Sequence, residues 1–142
     1  MTVQYTIDDI VENFAFIDDW EEKYRYLLEL GDSLEHMNEE DKTEINKVDG
    51  CTSQVWLKSR LAKDEDGYSR LYFQADSDAH IVRGLIAVLL AIYNGKMPKD
   101  IISIDTEGIF TKLGLQENLS PTRRNGFFSM VKRIQDTAVM VK

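Results

Sequence analysis

Residues 81–92, IVRGLIAVLLAI, constrain the fold more than any other stretch of this chain. Wound as a helix, they set Ile81, Val82, Leu85, Ile86, Val88, Leu89, Leu90 and Ile92 nearly all the way round the axis. A helix without a polar face has to be wrapped by other elements, so it belongs at the centre of a domain. Asp76-Ser77-Asp78 supplies a start signal and Asn94-Gly95 a stop, which predicts a helix over 79–94. Gly84 inside it implies that a neighbouring backbone comes close. The run LIAVLLAIY (85–93) falls far short of the roughly 20 apolar residues that cross a bilayer, so its destination is the protein interior.

The rest of the chain supplies wrappings of two kinds. Thr6 and Asp9 cap a predicted helix over 7–17, with Ile7, Ile10, Val11, Phe14 and Ile17 at helical spacing. Asp19 and Glu22 form a capping-box pattern opening a second helix, which is expected to bury Trp20, Tyr24, Leu27 and Leu28 and to stop near Gly31. Residues 32–50 are polar and acidic and predict irregular structure. After Cys51 the apolar period changes to two. Val55, Leu57 and Leu61 share a face in QVWLKSRLA (54–62), as do Leu71, Phe73 and Ala75 in YSRLYFQA (68–75). The polar KDEDG (63–67) between them predicts a hairpin with a longer loop. Short helical pieces are bounded by Met97-Pro98 and LGLQ (113–116). Ser120-Pro121 opens a closing helix with Phe127, Met130, Val131 and Ile134 inward. The pattern predicts an α+β fold, a small antiparallel sheet packed against helices.

A length of 142 residues, a hydrophobic fraction of 43% and the absence of any repeat or Pro/Gly-rich linker predict a single domain, 1–142. The N-terminus, MTVQYTIDD, has no basic or apolar leader pattern, and a cytoplasmic location is expected. Net charge is −8, with 25 acids against 17 bases. Nucleic-acid binding relies on Lys and Arg neutralising phosphates, so this balance argues against it. One cysteine and two histidines exclude a Cys-rich zinc or iron–sulfur site within the chain.

That cysteine, Cys51, lies in VDGCTSQVWL (48–57), just ahead of the first strand. A hairpin brings its outer ends together. If 62 lies near 68, then 54 lies near 76, and Cys51 falls beside Asp76-Ser77-Asp78 at the start of the apolar helix. Helix N-termini favour anions, and the thiolate is the reactive form of cysteine. Gly50 permits a tight bend that carries the thiol to a loop tip. Against this stand Asp76 and Asp78, whose carboxylates would raise a thiol pKa. A lone cysteine is also a common buried small hydrophobe. On the residues alone, an inert and an activatable thiol both remain open. His80 is a candidate base for Cys51 in a hydrolase-like pair or a polar residue of the helix's first turn. His36 reads as a solvated residue, and Trp56 and Phe73 read as sheet residues.

The cysteine segment V48-D-G-C-T-S-Q-V-W-L57 resembles the cysteine-loop signature of the SufE family of sulfur acceptor proteins, which includes CsdE. Three further stretches agree in order: Arg25-Tyr26-Leu27-Leu28, A75-D-S-D-A-H-I-V-R-G-L85, and L113-G-L-Q-E-N-L-S-P-T-R-R-N-G-F127 with Met130. The resemblance implies the SufE/IscU-like α+β fold. It implies that Cys51 accepts sulfur as a persulfide from a pyridoxal-phosphate-dependent cysteine desulfurase, SufS-like or CsdA-like, and stimulates that enzyme. The sulfur then passes to a downstream acceptor such as a Suf scaffold complex that builds iron–sulfur clusters. The chain itself is expected to hold no cofactor, since the pyridoxal phosphate belongs to the partner, and to have no turnover alone. Arg123, Asp78 and Gly50 are implied on the partner-binding side, with Arg124 adjacent to Arg123. Asp78 would cap the helix or position the loop. Asp49 departs from the family pattern, in which many relatives carry proline, and His80 is also atypical there. The alternative is a non-catalytic adaptor docking on a partner enzyme with an inert cysteine. Thiol exchange needs access for the donor and shelter for the product, which a loop lying inward at rest and swinging out on docking would supply.

Overall fold

The computed structural model describes residues 6–141. Most of the N-terminal stretch that bears on a leader pattern, Met1–Tyr5, lies outside the described residues. Helix α1 spans Ile7–Ala15, closed by a full capping box between Thr6 and Asp9. Helix α2, Trp20–Asp32, is capped by the Asp19 side chain, which accepts from the Glu22 N–H. A 3-10 turn follows at Glu39–Asp41. Strands β1 (Val55–Lys63) and β2 (Ser69–Ser77) form the antiparallel hairpin. Helix α3, His80–Tyr93, runs next, then α4 (Pro98–Ser103), α5 (Thr106–Lys112), α6 (Leu115–Asn118) and α7 (Pro121–Val141).

Helix α3 is the centre, as its all-round apolar surface requires. Nine of its residues, from Ile81 to Tyr93, are buried. Helix α2 crosses it so closely that a Cβ on Gly84 would lie 2.2 Å from the Leu27 carbonyl oxygen, and one on Gly31 would lie 2.8 Å from the Gly84 nitrogen. Two glycines facing each other make that approach sterically allowed. On another side α7 lays Phe127, Met130, Val131, Ile134 and Ala138 into the core. Phe110 of α5 packs on Phe127 and Phe128 at ring separations of 4.7 and 5.0 Å. No helix of the described residues is long and apolar enough to cross a membrane.

The hairpin register pairs Val55 with Ser77 and Lys63 with Ser69, two residues away from the pairing expected. Asp64 causes the difference. Its N–H donates to the Tyr68 carbonyl, and its carboxylate accepts from the N–H groups of Asp66 and Tyr68, so the turn has the same length but begins one residue later, at 64. A slip of two preserves the faces, since side chains alternate. Leu57, Leu71, Phe73 and Ala75 are therefore still buried. Leu61 is 46% exposed, because the hairpin tip projects beyond the helices that cover its base. In α2, Leu30 is buried and Tyr24 exposed, the reverse of the expected emphasis: contact with α3 selects the Leu27–Leu30–Gly31 face.

Candidate functional site

Residues 49–54 form a loop whose base is welded to β1. The Val48 N–H donates to the Val55 carbonyl at 2.8 Å, and the Leu57 N–H to the Asn46 carbonyl at 2.8 Å. Lys47 and Trp56 form a bridge on the same edge. The loop then lies along α7. Gly50 adopts φ 89°, a conformation that side chains disfavour, and a Cβ there would meet Ser129 Oγ at 2.5 Å. Ser129 Oγ donates to the Gly50 carbonyl across a long 3.5 Å. The Cys51 thiol donates to the Gly126 carbonyl with Sγ 3.6 Å away. Arg123 Nη1 donates to Ser53 Oγ at 3.3 Å.

Cys51 is half-buried and unpaired with any other cysteine. It lines a recess of about 20 Å³ with Val55, Val82, Leu85, Arg123 and Phe127. That volume takes one water-sized group. The recess is apolar on the α3 side and carries a guanidinium on its rim. Burial pushes the Cys51 thiol pKa up, and the neighbouring Asp49 carboxylate pushes it further in the same direction. The resting group is thus a protonated thiol, sheltered against the backbone of α7.

The expected residues fall into place unevenly. Cys51 does lie at the end of the hairpin that adjoins the start of α3, but its thiol is bonded to a carbonyl of α7 rather than held by the α3 N-terminus. Asp76 is not beside the thiol. It is buried, with Oδ1 accepting from Arg83 at 2.6 Å and Oδ2 facing Lys42 at 3.7 Å. Asp78 is exposed and accepts from the Gln54 N–H at 3.0 Å, which ties the loop's exit to the start of α3. It does not cap that helix, whose N-cap Ala79 is instead served by Ser77 Oγ accepting from its N–H. Arg123 and Arg124 separate clearly: Arg123 reaches the loop, whereas Arg124 donates to the Gln116 carbonyl of α6. His80 Nε2 meets Asp32 at 2.7 Å, so its ring is engaged with α2. His36 is exposed. Among the described residues there is no cluster of three metal-ligating side chains.

Sequence reasoning missed Gly126, Ser129 and Arg133, the α7 residues that receive the loop. Gly126 carried a signal, since a glycine inside a helical pattern marks close approach. A Cβ there would sit 3.7 Å from the thiol sulfur.

Residues 8–138 match the family model described as SufE, Fe-S metabolism associated domain. An uncharacterized SufE-like protein of Rhizobium etli is 50% identical over 133 residues, covering 94% of this chain and 89% of the relative. A second SufE-like protein, from Rhizobium meliloti, is 49% identical and covers 94% of each. The solution structure of a hypothetical protein from Thermus thermophilus shares the fold, with a TM-score of 0.69 at 22% identity over 94% of this chain and 93% of that one.

Proposed function

The chain belongs to the SufE family of domains associated with iron–sulfur metabolism, and on that footing we propose that it is a sulfur carrier whose working group is Cys51. The observation that carries this reading is the setting of the thiol: a single cysteine on a short tethered loop, resting in a recess with room for one further atom-sized group. A carrier needs one thiol, a shelter for the sulfur it holds, and a way out. Two of the contacts holding the loop tip to α7 are long, 3.3 and 3.5 Å, and the third is donated by a thiol, a weak donor.

The donor is a pyridoxal-phosphate-dependent cysteine desulfurase, SufS-like or CsdA-like, carrying a persulfide on its own cysteine. Docking draws the loop off α7, which removes the burial that raises the thiol's pKa. The Cys51 thiolate then attacks the terminal sulfur of the donor persulfide. A new S–S bond forms on Cys51, the donor's S–S bond breaks, and the electron pair and a proton return to the donor as its thiol. No net oxidation occurs. Removing the donor's sulfur frees it for another turnover, which is how the carrier stimulates it. The loop then folds back, and the outer sulfur occupies the recess until a downstream acceptor, such as a Suf scaffold complex, takes it for cluster assembly. Arg123, with no carboxylate in ion-pair range among the described residues, offers a cation at the rim to the docking partner. Gly50 and Asp78 shape the loop that is presented. The reaction runs in the cytoplasm.

Intact-mass spectrometry after incubation with cysteine and a desulfurase tests this. The expected product carries one added sulfur on Cys51, removable by reductant. An unchanged mass overturns the reading. A Cys51→Ser variant that still stimulates the desulfurase would make the protein an adaptor with an inert cysteine.

A further inference from the structure

The chain entering the thiol loop is attached to α7 by one side chain. Arg133 Nη2 donates to the Ile45 carbonyl at 2.7 Å, and Nη1 to the Lys47 carbonyl at 3.2 Å. Among the described residues no carboxylate lies within ion-pair distance of Arg133. Its planar fork is spent on two backbone carbonyls, which fixes the path of the chain instead of balancing a charge. The β1 weld at Asn46 and Val48 fixes this stretch to the sheet, whereas the Ile45 side chain, 85% exposed, contributes almost no burial, so Arg133 is what ties the welded edge to α7.

Gly126, Ser129 and Arg133 follow one another along one face of α7, at the three- and four-residue spacing of stacked helical positions. They receive, in order, Cys51, Gly50 and the Ile45–Lys47 segment. The contacts nearest the thiol are the weak ones, a thiol donor on the Gly126 carbonyl and a 3.5 Å bond from Ser129, and the 2.7 Å bond at Arg133 is the short one. The firm attachment of the strap to α7 is therefore remote from the sulfur. We propose that Arg133 is a positioning residue for Cys51: by holding the carbonyls of Ile45 and Lys47 on α7, it sets how readily the thiol leaves its recess. This rests on reading Cys51 as the working thiol, yet it concerns the carrier alone. With Arg133 in place, opening is confined to the loop tip. Without it the edge at residues 45–47 is held by β1 alone, and the loop that continues from it loses its firm anchor on α7.

The test is the rate at which iodoacetamide alkylates Cys51 in the isolated protein, well below its melting temperature. No desulfurase is present, so a failure to receive sulfur leaves this readout intact. Arg133→Gln is expected to raise the rate about tenfold, the factor given by losing roughly 1.4 kcal/mol of hydrogen bonding. Arg133→Lys, able to reach one carbonyl, falls between it and wild type. Asp105→Ala serves as the control, because it removes the α5 cap that accepts from the Gly108 N–H and lowers global stability away from the loop. It is expected to change the rate less than about twofold. The proposal is overturned if Arg133→Gln alkylates at the wild-type rate, or if Asp105→Ala speeds alkylation as much at an equal loss of melting temperature.

Discussion

Asp78 and Gln54 clasp each other in both directions: the Asp78 carboxylate accepts from the Gln54 N–H at 3.0 Å, and the Asp78 N–H donates to the Gln54 carbonyl at 3.3 Å. The exit of the thiol loop is thereby fixed to the start of α3. Asp78→Ala removes one of the two bonds and is expected to cost about 1 kcal/mol. Asp78→Asn keeps an acceptor oxygen and should cost much less. Hydrogen exchange followed at residues 52–55 checks this. Exchange there should quicken in the alanine variant and stay near wild type in the asparagine variant.

The thiol's ionisation provides a second prediction. Burial and Asp49 both raise the Cys51 pKa. The folded chain therefore keeps its proton to higher pH than the unfolded chain, whose thiol titrates near ~8.5. Folded stability from this group is complete below the unfolded value and falls as pH rises toward the folded one. In an alkylation-versus-pH profile, the midpoint of the folded protein should lie above that of the same chain in denaturant. Asp49→Asn should move it down without reaching the denatured midpoint, because burial is the larger cause. A folded midpoint at or below the denatured one would refute the assignment.

Gly50 combines two separable costs. Alanine there has to adopt φ 89° and to meet Ser129 Oγ at 2.5 Å. The conformational part costs roughly 1–2 kcal/mol, and the clash adds to it. Gly50→Ala combined with Ser129→Ala should relieve the contact with Oγ and leave the conformational cost together with a tight 3.3 Å approach to the residue-129 Cβ. Denaturant unfolding of the two single variants and the double variant measures the difference as a coupling energy.

At Gly84 no such relief exists. The atom a Cβ would strike is a backbone carbonyl oxygen, 2.2 Å away in Leu27. Helix α2 has to move off α3, which opens the centre of the core. Gly84→Ala is expected to destabilise by about 3 kcal/mol or more, among the largest effects of a single substitution. Thermal unfolding compared with Glu29→Ala, a substitution at an exposed position of α2, checks it.

The elements whose side chains settle their own position were legible in the sequence. The all-round apolar stretch 81–92 had one destination, and Gly84 announced the close neighbour that α2 turned out to be. Thr6, Asp19 and Ser120 stood where helices begin. The register slipped by two because Asp64 closes the hairpin turn with its side chain, and composition alone does not say at which residue a polar loop begins. Around the thiol, the loop that carries it and the end of the hairpin it occupies followed from local order. The surface that receives it did not. Arg133 is 86 residues from Lys47, and nothing in either segment's periodicity marks the other. Asp76 illustrates the same limit: two residues before the exposed Asp78, it is buried and pairs with Arg83 and Lys42.

The weld between Val48 and Val55 also limits how far the sulfur can travel. Three peptide units separate Val48 from Cys51, and fully stretched they span roughly 10 Å. Whatever donates to this cysteine has to deliver its own sulfur inside that radius. The leash is short, and most of the journey falls to the visitor.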